Sequence, residues 1–122
     1  MLSDLEWVKR VAQQYRMENL DLTAGSVVLE RTVSAGGRCF CYPDGSWLIG
    51  LSLPRLQRCG RNGMEGILAH ELLHAWLWSR YGYAGHGRLF GDHASVRGIP
   101  RWCSDVHEAL RQGPQQLLLF DT

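Results

Sequence analysis

The sequence has no apolar run approaching the ~20 residues of a membrane-spanning helix. Its start, Met1-Leu2-Ser3-Asp4, lacks the basic and then apolar layout of a secretory leader. Both absences predict a cytoplasmic protein with no membrane partner. Lysine is nearly missing, one against twelve arginines, and the net charge is only +1, which removes the global basic bias of a nucleic-acid-binding domain. Residues 55–101 hold seven Arg against Glu65, Glu71 and Asp92, a local excess of the kind that solvated surface arginines produce. Cys39, Cys41, Cys59 and Cys103 form no CxxC pair and no Cys/His quartet at zinc-finger spacing, so they read as reduced, mostly packed thiols. Cys39 and Cys41 would face one side of a strand, too far along it for easy bridging. With 122 residues, 45% hydrophobic and 20% charged, what remains is an ordinary composition for one domain with a modest core.

What the sequence does have is His70-Glu71-Leu72-Leu73-His74, set in the apolar run Gly66-Ile67-Leu68-Ala69 and Ala75-Trp76-Leu77-Trp78. On an α-helix, residues four apart return to nearly the same face about 6 Å apart, so His70 and His74 can offer two imidazole nitrogens to one metal ion. Glu71 then stands beside the ion rather than on it, placed as a general base toward an attacking water. The plain alternative is a buried packing helix whose histidines fall four apart by accident. Two of only five histidines at that spacing, with Glu between them, weigh against it. The context suits a helix: no proline interrupts Met64 to Tyr81, Asn62 can cap it with Glu65 three residues on, and Gly82 closes it.

A catalytic zinc site takes three protein ligands and keeps one position open, so a third ligand must come from downstream. The candidates are His86, Asp92, His93 and, further off, Glu108. His86 comes first, because it lies between two glycines just past the helix, where a short return of the chain would bring it under the ion. Tyr81, Tyr83 and Arg88 are near enough in sequence to stabilise an oxyanion.

The rest of the chain supplies a frame. From Asp4 to Asn19, Leu5, Val8, Val11, Ala12 and Tyr15 recur at helical spacing behind a Ser3/Glu6 capping box, which predicts a packing helix. Residues 26–33, 38–42 and 46–52 read as strands, separated by Ser34-Ala35-Gly36-Gly37 and by the turn Pro43-Asp44-Gly45. The expected fold class is therefore α+β, with a small antiparallel sheet packed on the HExxH helix between an N-terminal and a C-terminal helix. In zinc peptidases of this plan the edge strand beside the site holds an extended substrate backbone by strand addition. Beyond Ile99-Pro100-Arg101-Trp102, Ser104 can cap a helix running to Gln112, on which His107 and Glu108 read as decoration, before Gly113-Pro114 ends it.

Residues 30 to 92 resemble the SprT-like zinc metallopeptidases, the family of SprT and Spartan. The resemblance consists of a strand leading to Ser34-Ala35-Gly36-Gly37-Arg38-Cys39, the strand end Ile49-Gly50-Leu51-Ser52, His-Glu-x-x-His-Ala-Trp-Leu at 70 to 77, and His-Gly-x-x-Phe at 86 to 90. It implies a zincin-like fold, His70, His74 and His86 as ligands of one catalytic Zn2+, and Glu71 as catalytic base. It also implies a metalloprotease acting on DNA-associated proteins in DNA repair. The chain carries no recognisable zinc finger or other DNA-binding module, so DNA association would be indirect. Leu53-Pro54-Arg55-Leu56 and the His-Ala-Trp-Leu run are also similar to the DA1-type peptidase domain, whose third ligand is acidic; by that similarity Asp92 is the alternative ligand.

These readings divide the chain into one zincin-like metallopeptidase domain, residues 1–113, and a tail, residues 114–122. Gln116-Leu117-Leu118-Leu119-Phe120 looks like the peptide by which bacterial replication and repair proteins bind the sliding clamp, a Gln amide at a groove's rim with Leu and Phe filling apolar pockets. Docking there would tether the protease to replicating DNA. The competing expectation is a last strand on the domain's own sheet. Separately, a peptide like residues 114–120 could lie in the substrate groove and block the site. Two other function classes stand beside a peptidase acting on protein or peptide substrates. One is a catalytically inactive zincin-fold binding module, and the other a regulatory or toxin-like peptidase with a single target. The intact Glu71 argues against the first, since a structural site needs no base and prefers four protein ligands.

Overall fold

The computed structural model describes residues 2–31 and 36–100, together with the backbone of one further strand at 118–121. The elements are α1 (Asp4–Gln14), a short 3-10 turn (Leu22–Ala24), β1 (Gly25–Glu30), β2 (Gly37–Cys41), β3 (Trp47–Ser52), α2 (Leu53–Tyr81), α3 (Arg88–Arg97) and β4 (Leu118–Asp121). The architecture is α+β, a small sheet with its helices, as expected. The helix predicted from Ser104 to Gln112, with His107 and Glu108, lies outside the described residues, as do residues 32–35, where the predicted first strand ends.

Helix α1 starts at the predicted capping box: the Ser3 hydroxyl accepts from the Glu6 amide at 3.1 Å. It buries Trp7, Val8, Val11 and Ala12. It stops at Gln14 rather than running on to Asn19, because Arg16 turns left-handed at φ 60 and the Met17 amide reaches back to the Ala12 carbonyl at 2.8 Å. That bond is the six-to-one closure of a Schellman motif, and it brings Met17 into the core.

The sheet order is β1-β3-β2-β4. β2 and β3 form the expected antiparallel hairpin through the Pro43-Asp44-Gly45 turn, where the Gly45 amide bonds the Tyr42 carbonyl at 2.9 Å. β1 pairs with β3 in parallel, so the sheet is mixed and the expectation of an antiparallel sheet is corrected. Turn chemistry dictates how neighbouring strands join, but not which side of a hairpin the preceding strand occupies. Here β3, carrying the fully buried Ile49 and Leu51, becomes an inner strand between β1 and β2.

Helix α2 begins earlier than predicted. Ser52, not Asn62, is its N-cap, accepting from the Arg55 amide at 3.2 Å, with Pro54 tolerated in the first turn. Gly60, at φ 73 and ψ 176, interrupts the helix, and the amphipathic pattern read from Met64 belongs to the portion beyond that break. Gly82 closes the helix in the left-handed conformation, as predicted. Helix α3 had no counterpart among the predicted elements. Among the described residues no helix is long and apolar enough to cross a membrane.

Gly25 stands in register with Trp47, and a Cβ there would lie 2.1 Å from the indole ring. Gly25→Ala therefore forces the buried Trp47 ring to move. Overpacking of this kind costs about 1–3 kcal/mol, more than the ~0.4–1 kcal/mol that alanine returns by restricting the unfolded chain. Urea denaturation is expected to show a net loss of stability.

Candidate metal centre

From Leu68 to Leu77 every residue of α2 is buried, so this helix is the axis on which the other elements close. At about 100° per residue, its side chains sort into three stripes. Ile67, Glu71 and Trp78 face β2. A Cβ on Gly36 would come within 2.7 Å of Ile67 Cδ1, Cys39 lies close enough to Glu71 to respond to its charge, and Trp78 Nε1 donates to the Tyr42 carbonyl at 3.0 Å. Arg61, Glu65 and Trp76 face α1 and the loop after it. Arg61 pairs with Asp4 at 2.7 Å, the Tyr15 hydroxyl donates to Glu65 at 3.2 Å, and Trp76 Nε1 donates to the Glu18 carbonyl at 3.1 Å. His70 and His74 emerge on the flank roughly opposite α1, toward α3.

His86 arrives there on the short loop after α2. Gly85 takes φ 134, and Gly87 donates its amide to the Tyr83 hydroxyl at 2.8 Å, so close that a Cβ on Gly87 would sit 2.6 Å from that oxygen. The two glycines thus let the loop fold tightly under Tyr83, with His86 turned inward between them. His86 Nε2 stands 3.1 Å from His70 Nε2 and 3.0 Å from His74 Nε2, and all three ligand atoms lie within 4.8 Å of one another.

Several features suit this trio to a cation. His70 Nδ1 is 2.6 Å from the Pro100 carbonyl; a carbonyl only accepts, so Nδ1 carries the proton and Nε2 presents a lone pair. Burial pushes His70 down to about 3, and it holds His74 well below the ordinary imidazole range, with the neighbouring rings adding to the shift. Both rings are therefore neutral at neutral pH, the form in which an imidazole can bind a metal ion. One N–H on His86 could not serve two Nε2 atoms at once, whereas one ion bonded to all three accounts for their convergence. Tetrahedral zinc with ~2.0–2.1 Å bonds would space the nitrogens by about 3.4 Å, a few tenths more than the two separations from His86 Nε2.

Phe90 forms the floor. It is fully buried, and its ring centroid lies 4.6, 4.4 and 5.2 Å from those of His70, His74 and His86, nearly parallel to His74. In the sequence Phe90 stands out only within His-Gly-x-x-Phe; its position against all three rings gives the reason for it. The Pro100 carbonyl is a backbone group and has no signal in the sequence.

Glu71 is fully buried on the stripe facing β2. Beside it, Cys39 and Cys41 point to the same side of β2 with sulfurs 3.8 Å apart. Burial, then the Cys41 sulfur and then Glu71, push the Cys39 thiol well above its usual range, so it is protonated and inert.

The other candidates lie elsewhere. Asp92 is exposed and pairs with Arg88 at 3.7 Å, because two residues after the inward-facing Phe90 the helix has turned about 200°. His93 accepts from Arg97 at 2.9 Å and packs on Trp76. Tyr81 is exposed, as is Arg88, while Tyr83 stays with the His86 loop. Glu108 lies outside the described residues.

Phe90→Leu is expected to leave the chain folded while loosening the three rings. Its affinity for Zn2+, measured by competition with a chelator, should fall by roughly tenfold or more, as for other residues that orient metal ligands.

No curated protein matches the chain. A family model does match it, from residue 5 to residue 103, which takes in α1, the hairpin, the HExxH helix, His86 and Phe90. The chain belongs to the SprT-like family.

Proposed function

We propose that the protein is a zinc-dependent peptidase in which His70, His74 and His86 hold one catalytic Zn2+ and Glu71 is the general base. The observation that carries this reading is the convergence of three imidazoles, the buried His70 and His74 and the half-buried His86, beside a buried carboxylate that follows the first of them on the same helix. Zinc bound there would supply Lewis acidity, polarising a peptide carbonyl and acidifying water. Glu71 takes a proton from the water as its oxygen bonds to the carbonyl carbon. It then returns that proton to the amide nitrogen as the C–N bond breaks, so that a carboxylic acid and an amine leave. β2 passes Glu71 at Cys39, and an extended substrate pairing with its backbone would lie across the carboxylate. Tyr83, whose hydroxyl accepts the Gly87 amide in the loop that carries His86, is the proposed oxyanion donor.

The test is zinc stoichiometry together with cleavage of fluorescent casein. Wild type should carry one zinc per chain, His86→Ala should lose most of it, and Asp92→Ala should keep it. Glu71→Gln should retain zinc yet cleave about 10²- to 10⁴-fold more slowly, the span of a general base's contribution. Unchanged cleavage by Glu71→Gln would refute the mechanism. Bound zinc with no cleavage of any protein would favour the inactive binding module, and cleavage restricted to one partner the single-target peptidase.

DNA-associated proteins are the proposed substrates, with Gln116-Leu117-Leu118-Leu119-Phe120 as the proposed link to the sliding clamp. A synthetic peptide of residues 114–122 should bind a bacterial sliding clamp and lose that binding on Phe120→Ala. Absence of binding by the unsubstituted peptide would remove the clamp from the reading.

A further inference from the structure

The outer edge of β2 is paired with a strand from the same chain. β4 runs antiparallel to β2, with Arg38 opposite Asp121, Cys39 opposite Phe120, Phe40 opposite Leu119 and Cys41 opposite Leu118. We propose that Leu118–Asp121 is a resident competitor for the peptide-binding edge of the site, so that the peptidase is held back until this strand is displaced. The proposal rests on the peptidase reading above and adds its regulation.

The argument is positional. Helix α1 lies toward the β1 end of the sheet, where Leu5 and Val8 line a cavity with Val27 and Trp47. Residues of α2 that face α1 and the two histidines emerge on roughly opposite flanks, as the pairings of Arg61, Glu65 and Trp76 establish. The metal-binding flank therefore opens away from β1, on the side where β2 would be the last strand if β4 were absent. Along that side β2 follows α2 from Ile67 past Glu71 to Trp78. The register places Phe120 opposite Cys39, the β2 residue that responds to the charge of Glu71.

A strand edge accepts one partner. The β2 backbone groups that do not face β3 are those a substrate would need, and β4 engages them. An extended peptide joining β2 at the level of Glu71 must therefore first replace Leu118–Asp121. Two properties suit β4 to reversible occupancy. It is only four residues long, and such short edge strands open readily. It is also tethered, so its effective concentration at the edge is on the order of millimolar, well above that of a dilute substrate.

The test uses the full-length, zinc-bound chain with Leu119→Pro and Phe120→Pro made separately. In an antiparallel edge strand one of two adjacent amides points at the neighbour and the other away, so proline removes a ladder donor in only one of these variants. At least one variant should expose the β2 amides that face β4 to faster hydrogen exchange. That same variant should raise kcat/KM for fluorescent casein by roughly tenfold or more, mainly through KM. A peptide of residues 114–122 added to it should restore competitive inhibition. If exchange at β2 accelerates while kcat/KM is unchanged, or if both variants match wild type in exchange and in rate, the proposal is overturned and the peptidase reading stands. If zinc is bound but neither wild type nor variants cleave, the peptidase reading fails and this proposal with it.

Discussion

The structure depends on bringing three imidazoles together inside a protein. Polar rings are costly to bury unless each polar atom finds a partner. Here the Pro100 carbonyl accepts a hydrogen bond from His70 Nδ1, and the Nε2 atoms of His70, His74 and His86 meet in one place that suits a cation. Phe90 closes the space behind all three rings. The path of the chain after α2 follows from this requirement. The loop must turn within a few residues to bring in His86, α3 must present Phe90 inward, and the chain must leave α3 so that Pro100 reaches His70. Gly98, left-handed at φ 68, and the Ile99 amide bonded back to Ala94 at 2.9 Å make that last turn.

Helical geometry also separates the roles of neighbouring residues. Glu71 follows His70 by one position and so points about 100° away from it, toward β2 instead of into the ring of nitrogens. A carboxylate in that place stands beside the cation site without completing it, which leaves room for water and substrate in the proposed reaction. α1 and the loop after it hold the far side of α2 through ion-pair and hydrogen-bond contacts at Arg61, Glu65 and Trp76. They thereby fix which flank of the helix faces the open end of the sheet. The HExxH helix is thus clamped on one side and chemically equipped on the other.

The part of the centre most legible in the sequence was the part governed by short-range periodicity. His70, Glu71 and His74 declare themselves because an i, i+4 pair on a helix has one geometric meaning, and the glycines around His86 mark a turn too tight for a side chain at position 87. Asp92, the alternative ligand, also lies within reach by distance along the chain. It was separated from His86 only by the start of α3 at Arg88, a helix with little amphipathic pattern and a glycine, Gly91, in its middle. Once that helix exists, Phe90 faces in and Asp92 faces water.

The sequence by itself determined the local devices: the Ser3/Glu6 cap, the hairpin turn at Pro43-Asp44-Gly45, the left-handed stop at Gly82, and the two-histidine helix. Each depends on residues within a few positions of one another, whose backbone preferences and hydrogen bonds are nearly independent of the rest of the chain. The tertiary structure alone decided that β1 lies parallel to β3, that α2 reaches back across Gly60 to Ser52, that the Pro100 carbonyl orients His70, and that β4 lies along β2. These are pairings between distant segments. They are selected by which arrangement buries the apolar faces of α1, α2 and the sheet together while satisfying their polar groups, a condition that no local stretch of sequence encodes.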